Sequence, residues 1–227
     1  MARDIARPRV LLTGFGPFPG VPENPSGWLA ETLAATTRGH CLETGHGFEP
    51  HGAVLPTEWA AVAALAPRLH TELQPLVTIH FGVSARATGL RLERTAHNRA
   101  EPRADACGAK PDSQTVSRDG AARIETRLPV TALAAALRAQ GHAARASQSC
   151  GRYLCNYLYY HSLARTERDG GDALFVHVPL TRAQGGTLHP DALLSAAEDT
   201  LRFVLDAARS PRLHVTDDAA SAAEARA

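Results

Sequence analysis

Short apolar runs of strand length alternate along this chain with longer alanine- and leucine-rich stretches of helical spacing, and that alternation limits the fold more than any other feature. Residues 10–13 read as a buried strand. Residues 25–36 read as a helix that starts at Asn24, whose short polar side chain can accept a free backbone N–H of the first turn. Residues 56–70 form a second helical stretch, 76–81 a buried strand, 130–140 an alanine-rich helix and 143–147 a short strand. In 191–208, Leu194, Ala197, Leu201, Val204 and Leu205 fall on one helical face and predict a closing amphipathic helix. The pattern predicts an α/β fold, a three-layer α/β/α sandwich with a mixed, mostly parallel central sheet. A length of 227 residues suits one large domain over 1–208, although length alone also permits two smaller ones. Beyond that point apolar periodicity is lost, which predicts a flexible tail over 209–227.

Charge and composition exclude several function classes. Lys and Arg number 24 against 23 Asp and Glu, for a net charge of +1, so the chain offers no broad basic face to a nucleic acid. No apolar run approaches the roughly 20 residues that span a bilayer. The first eight residues carry Arg3, Asp4 and Arg7 and do not read as a signal peptide, so the expected location is cytoplasmic. Cys41, Cys107, Cys150 and Cys155 are too few and too irregular for a disulfide framework and are expected to be free thiols. The eleven histidines are scattered, without the i, i+4 spacing of a helical metal site, so neither a metal nor another cofactor is expected.

Three residues stand out for chemistry. Cys155, in Gly151-Arg152-Tyr153-Leu154-Cys155-Asn156, falls where a glycine turn leads into a helix-like segment. Unpaired N–H groups at a helix start favour a thiolate and can hold an oxyanion; a buried structural cysteine is the alternative. His177 closes the apolar run 172–176 just before Val178-Pro179. The imidazole is thereby placed near the carboxyl end of a strand, the edge where open α/β sheets build sites, and a hydrogen-bonded core histidine is the alternative. Glu93 follows Leu90 and Leu92 in a strand-like alternation, and it can orient a histidine or simply pair at the surface with Arg91 or Arg94.

Taken in order, six stretches resemble the type I pyroglutamyl peptidases, also called pyrrolidone-carboxylate peptidases. They are Val10-Leu11-Leu12-Thr13-Gly14-Phe15-Gly16-Pro17-Phe18 with Asn24-Pro25-Ser26, Leu55-Pro56-Thr57-Glu58-Trp59, and His80-Phe81-Gly82-Val83-Ser84. After them come Leu92-Glu93-Arg94 with Ala96 and Asn98, the segment 151–156 and Phe175-Val176-His177-Val178-Pro179. Together they cover most of the chain. The resemblance implies Cys155 as nucleophile, His177 as its histidine and Glu93 as the catalytic glutamate, with Phe15, Phe18 and Val83 in the pyroglutamate pocket. It also implies the same three-layer architecture, peptides bearing N-terminal pyroglutamate as substrates, and a homodimer or homotetramer. Pro19, Val83, Arg86, Ala87 and Cys150 depart from the family's usual residues.

The residues fit that chemistry on their own terms. A thiolate cleaves an amide without a metal by dividing the reaction into acylation and deacylation. A neutral lactam calls for an apolar slot with a few polar contacts, and Phe15 and Phe18 suit one unless they are ordinary core aromatics. Residues 99–120 are polar and rich in Gly and Pro, as expected of a long loop or lid beside a site. Two rivals stand beside this reading. Gly14, Gly16 and Gly20 follow the first strand and prompt a nucleotide-binding module, but their spacing is not the dinucleotide fingerprint. The altered rim residues prompt a weakly active homologue that binds pyroglutamyl peptides or hydrolyses another cyclic amide.

Overall fold

A strand that is apolar on both faces needs helices on both faces, and the central strands of this chain meet that condition. The structure, a computed structural model, describes residues 7–38 and 47–209. Strands β1 (Arg9–Phe15), β2 (Glu49–Leu55), β3 (Val77–Val83), β4 (Leu90–Glu93), β7 (Ala144–Ser147) and β8 (Asp172–Val178) form one sheet in the order β2-β1-β3-β8-β4-β7. Every neighbouring pair is parallel except β8 with β4. A separate antiparallel pair, β5 (Thr95–His97) and β6 (Arg123–Glu125), lies outside it.

Side-chain alternation sorts the layers. Val77, Ile79 and Phe81 of β3 and Leu174, Val176 and Val178 of β8 bury against helices α1 (Pro25–Thr36), α3 (Val130–Ala139) and α5 (Pro190–Arg209). The opposite face carries Phe15, Ala173 and Phe175 and is covered by α2 (Trp59–Leu73) and α4 (Leu154–Asp169). On that second face Thr13, His80 and His177 are also buried, so the polar chemistry of the sheet lies between it and the α2–α4 layer. Full burial of each large apolar side chain stabilises by about 1.5–3 kcal/mol, which fixes which face each strand presents.

The three-layer sandwich with a mixed, mostly parallel sheet agrees with the fold read from the sequence. The element positions also agree, with α1 starting at the Asn24 cap, whose side chain accepts from the Ser26 N–H at 3.1 Å. Three details differ. β2 is not apparent from the sequence, because Glu49-Pro50-His51-Gly52 has neither apolar alternation nor strand propensity. As an edge strand it buries little and can carry a proline. Helix α2 starts at Trp59 rather than 56 because Glu58 is still extended, and it continues through Pro67 to Leu73. The β5–β6 pair is too short to leave a periodic signal. Residues 99–120 hold no helix or strand. Asn98 organises that loop, donating to the Ser117 and Gly120 carbonyls and accepting from the Ser117 N–H. Cys41 and most of the expected tail, residues 210–227, lie outside the described residues, while Arg209 ends α5. No described helix is long and apolar enough to cross a membrane.

Candidate active site

Strand order decides what meets here. β8 is flanked by β3 and β4, so Gly82 on β3 and Arg91 on β4 both stand in register with His177. Two residues on, Glu93 projects from β4 to the same face, fully buried. Its Oε1 lies 2.8 Å from His177 Nδ1 and 3.4 Å from Arg91 Nη2. The ion pair with Arg91 is therefore real, but it belongs to a buried cluster and not to the surface. Arg91 Nη2 also donates to Ser147 Oγ at 3.0 Å, while Arg94 reaches away to Thr131 Oγ1.

Cys155 sits in the first turn of α4, after a turn at Gly151 whose φ of 87° suits glycine. It is half-buried, not walled off. The first intrahelical bond of this end runs from the Tyr157 N–H to the Tyr153 carbonyl at 3.0 Å, and no side chain caps the turn. The N–H groups of Leu154, Cys155 and Asn156 therefore lie ahead of the helical ladder, where they can stabilise negative charge. Opposite α4, Gly82 makes room: a Cβ there would stand 3.1 Å from the Cys155 sulfur.

His177 joins the other two residues. Its Nδ1 faces Glu93, and the Cys155 side chain is near enough to the ring to act on its charge, which leaves Nε2 for the side of the sulfur. Burial works against a charge on this imidazole. The hydrogen bonds and charges of Cys155 and Glu93 outweigh it and raise the pKa to about 9. His177 is thus protonated at neutral pH, which places a positive charge beside Cys155.

A pocket of about 430 Å³ opens on Cys155 and is lined by Phe15, Phe18, Val21 and Val83, with Asn24, Thr57, Arg86, Arg103 and Tyr153 among the polar members. The site residues read from the sequence therefore converge, with Glu93 hydrogen-bonded to His177, Cys155 beside the imidazole, and Phe15, Phe18 and Val83 around the space in front of the sulfur. Phe15 also belongs to the core, whereas Phe18 is only half-buried. The turn carrying both is tied down at Gly16, whose carbonyl accepts from Asn24 Nδ2 at 2.9 Å and Thr57 Oγ1 at 3.0 Å. Sequence reasoning missed Thr57, Arg103 and Tyr153 as pocket members. Thr57 stood inside a quoted motif and could have been found, but Arg103 reaches the pocket from the middle of an irregular loop and leaves no local signal.

Cys150 takes no part in this arrangement. It is buried, with a thiol pushed well above its ordinary range by burial and then by the nearby Cys155 and Glu93, and it behaves as a small core residue.

Comparison with known proteins gives a consistent result. Residues 8–195 match the model of a family described as pyroglutamyl peptidase. The chain is 34% identical over 175 residues to pyroglutamyl-peptidase 1 of Rattus norvegicus, covering 76% of this chain and 79% of that protein. It is 35% identical over 191 residues to the pyrrolidone-carboxylate peptidase of Chromobacterium violaceum, covering 84% and 86%. Among solved structures, the pyrrolidone carboxyl peptidase of Thermococcus litoralis superposes with a TM-score of 0.76 at 28% identity, over 88% of this chain and 94% of that one. The pyroglutamyl peptidase I of Bacillus amyloliquefaciens gives 0.78 at 25% identity, over 88% and 98%.

Proposed function

The chain belongs to the pyroglutamyl peptidase family, cysteine peptidases that remove N-terminal pyroglutamate from peptides, and we propose that Cys155 is its nucleophile, His177 its acid–base and Glu93 the group that orients His177. The observation that supports this assignment is the buried Glu93–His177 hydrogen bond with Cys155 beside the imidazole, at the mouth of a pocket lined by phenylalanines.

Each residue's step follows from its surroundings. The Cys155 thiolate attacks the pyroglutamyl carbonyl, and the carbonyl oxygen turns toward the free N–H groups of the α4 start. His177 then gives its proton to the leaving amine as the C–N bond breaks, which leaves a thioester on Cys155. Neutral His177 next takes a proton from the water that attacks the thioester. Release of pyroglutamate restores the thiolate and the imidazolium. Glu93 keeps the imidazole in the orientation both transfers require. Phe15, Phe18 and Val83 hold the lactam by apolar contact, which suits a ring without charge.

The test is release of a fluorescent amine from its pyroglutamyl amide. Wild-type protein is expected to release it, Cys155→Ala to lose release by at least about a thousandfold, and a prolyl amide not to compete. Equal, slow release by wild type and Cys155→Ala would instead favour a binding homologue without turnover. The proposal extends to a cytoplasmic location and to self-association as a homodimer or homotetramer. Trp28 and Val54, 40% and 38% exposed, lie on α1 and on the edge strand β2 and are the feature in favour of association; analytical ultracentrifugation measures it.

A further inference from the structure

Beneath the catalytic residues lies a polar chain with no contact to the pocket. Thr13 Oγ1 is 2.7 Å from His80 Nδ1, His80 Nε2 is 2.7 Å from Ser162 Oγ, and Ser162 Oγ is 3.0 Å from His70 Nε2. All four residues are buried, with Ser162 wholly inaccessible. The chain joins β1, β3, α4 and α2 through the middle of one layer. Buried polar groups cost stability unless each is matched, and here they are matched to one another. Burial holds both imidazoles neutral, His80 well below the ordinary range and His70 at about 4, with Arg165 lowering the latter further against Asp169.

Position gives this chain a purpose. Ser162 follows Cys155 by seven residues, two helical turns, so both lie on the face of α4 that meets β3. On β3, His80 and Gly82 alternate onto the face that meets α4. The helix therefore rests on this strand at two points, Cys155 over Gly82 and Ser162 on His80. The first has only a glycine on the strand side, with no polar group to hold the helix, and resists sliding poorly. The second is a short, directional hydrogen bond. The other polar ties near this end of α4 run elsewhere, Tyr153 to the Ala104 carbonyl, Asn156 to the backbone of His97 and Arg99, Tyr159 to the Glu93 carbonyl and Tyr160 to the Ala121 carbonyl. His80 also supports the base: its ring centroid lies 6.2 Å from that of Phe175, and Phe175 lies 4.9 Å from His177. Nucleophile and base are thus both referenced to one buried imidazole.

We propose that the Ser162–His80 hydrogen bond is a positioning device that sets the depth and roll of α4, so that the Cys155 sulfur meets His177. Ser162 and His80 are positioning residues, since neither touches substrate or sulfur. The inference rests on the assignment of Cys155 as nucleophile.

Ser162→Ala removes this bond, and with it the bond to His70, with little change in volume. It is expected to lower kcat on the pyroglutamyl amide by about 10- to 100-fold, the size of effect that a displacement near 1 Å produces, with KM within about twofold. Alkylation of Cys155 by iodoacetamide should slow and its pH profile should move. Trypsin cuts after Arg152 and Arg165, so mass spectrometry reads the Cys155 peptide apart from Cys150. Ser162→Cys, with a longer and weaker bond, should fall between wild type and Ser162→Ala and carries the test where the alanine variant does not fold. A folded variant with lowered thermal stability but wild-type kcat and wild-type alkylation overturns the proposal, because a merely structural serine would behave so. Loss confined to KM overturns it too. Failure of the wild type itself to cleave the amide would strike the assignment of function instead, and the alkylation measurement would still decide the role of Ser162.

Discussion

At the scale of single residues, Glu93 is the most informative position. A carboxylate with no exposure, 2.8 Å from an imidazole, is held there at a desolvation cost, and what it does for His177 offsets that cost. Glu93→Gln keeps an oxygen that can accept the Nδ1–H but removes the charge, so it should retain more activity than His177→Ala. We expect losses of about 10-fold for Glu93→Gln and about 1,000-fold for His177→Ala in kcat on a pyroglutamyl amide. The reverse order would mean that Glu93 has a different task. The charge also sets a pH limit. His177 has its pKa raised to about 9 by its partners against burial, above the ordinary 6.5. Its contribution to stability is therefore fully present below about pH 6.5 and lost as pH rises through about 9. The alkaline limb of kcat/KM should fall near pH 9 in wild type and move to lower pH in Glu93→Gln. A limb that stays in place would show that Glu93 does not stabilise the imidazolium.

At the scale of elements, the site is a junction between one helix start and three strand ends, and its tolerance is set by the gap between α4 and β3. Gly82 defines that gap. A methyl group at this position would stand 2.7 Å from the Phe175 ring and 3.1 Å from the Cys155 sulfur. Phe175 is fully buried and cannot swing aside. Gly82→Ala should therefore cost about 1–3 kcal/mol of stability through overpacking and lower kcat by at least about 10-fold, because relief comes only from moving α4 or β8. Thermal denaturation and kinetics on the same sample check both parts. A stable, fully active variant would show that α4 has more freedom than the contacts at Gly82 and His80 allow. The irregular segment 99–120 acts on the same junction from outside: Tyr153 Oη donates to the Ala104 carbonyl, and Asp105 Oδ2 accepts the first N–H of α2 from Trp59.

At the scale of the whole molecule, the layer between the sheet and the α2–α4 pair carries an acid sensitivity. His70 and His80 are neutral in the fold, with pKa values lowered below 6.5 mainly by burial, so the unfolded chain binds protons that the folded one does not. Through His70, stability should then rise with pH between about 4 and 6.5, by at most about 1.4 kcal/mol per pH unit, and His80 acts in the same direction. Urea unfolding across that range should show a steeper slope in wild type than in His70→Gln, and equal slopes would contradict the neutral, buried state of His70. Much of the molecule was legible in the chain. The alternating runs determined the α/β class, the Asn24 cap and the start and end of α1, because local spacing and capping act within a few residues. The motifs around Phe15, Glu93, Cys155 and His177 marked residues that the fold brings together. Tertiary structure alone decided the rest. β2 owes its place to β1 and not to its own residues, Arg103 reaches the pocket along a path with no period, and Ser162 meets His80 across 82 positions of sequence. Contacts of that kind are specified by the packing of distant layers, and the energy that fixes them is shared among all the residues buried between those layers.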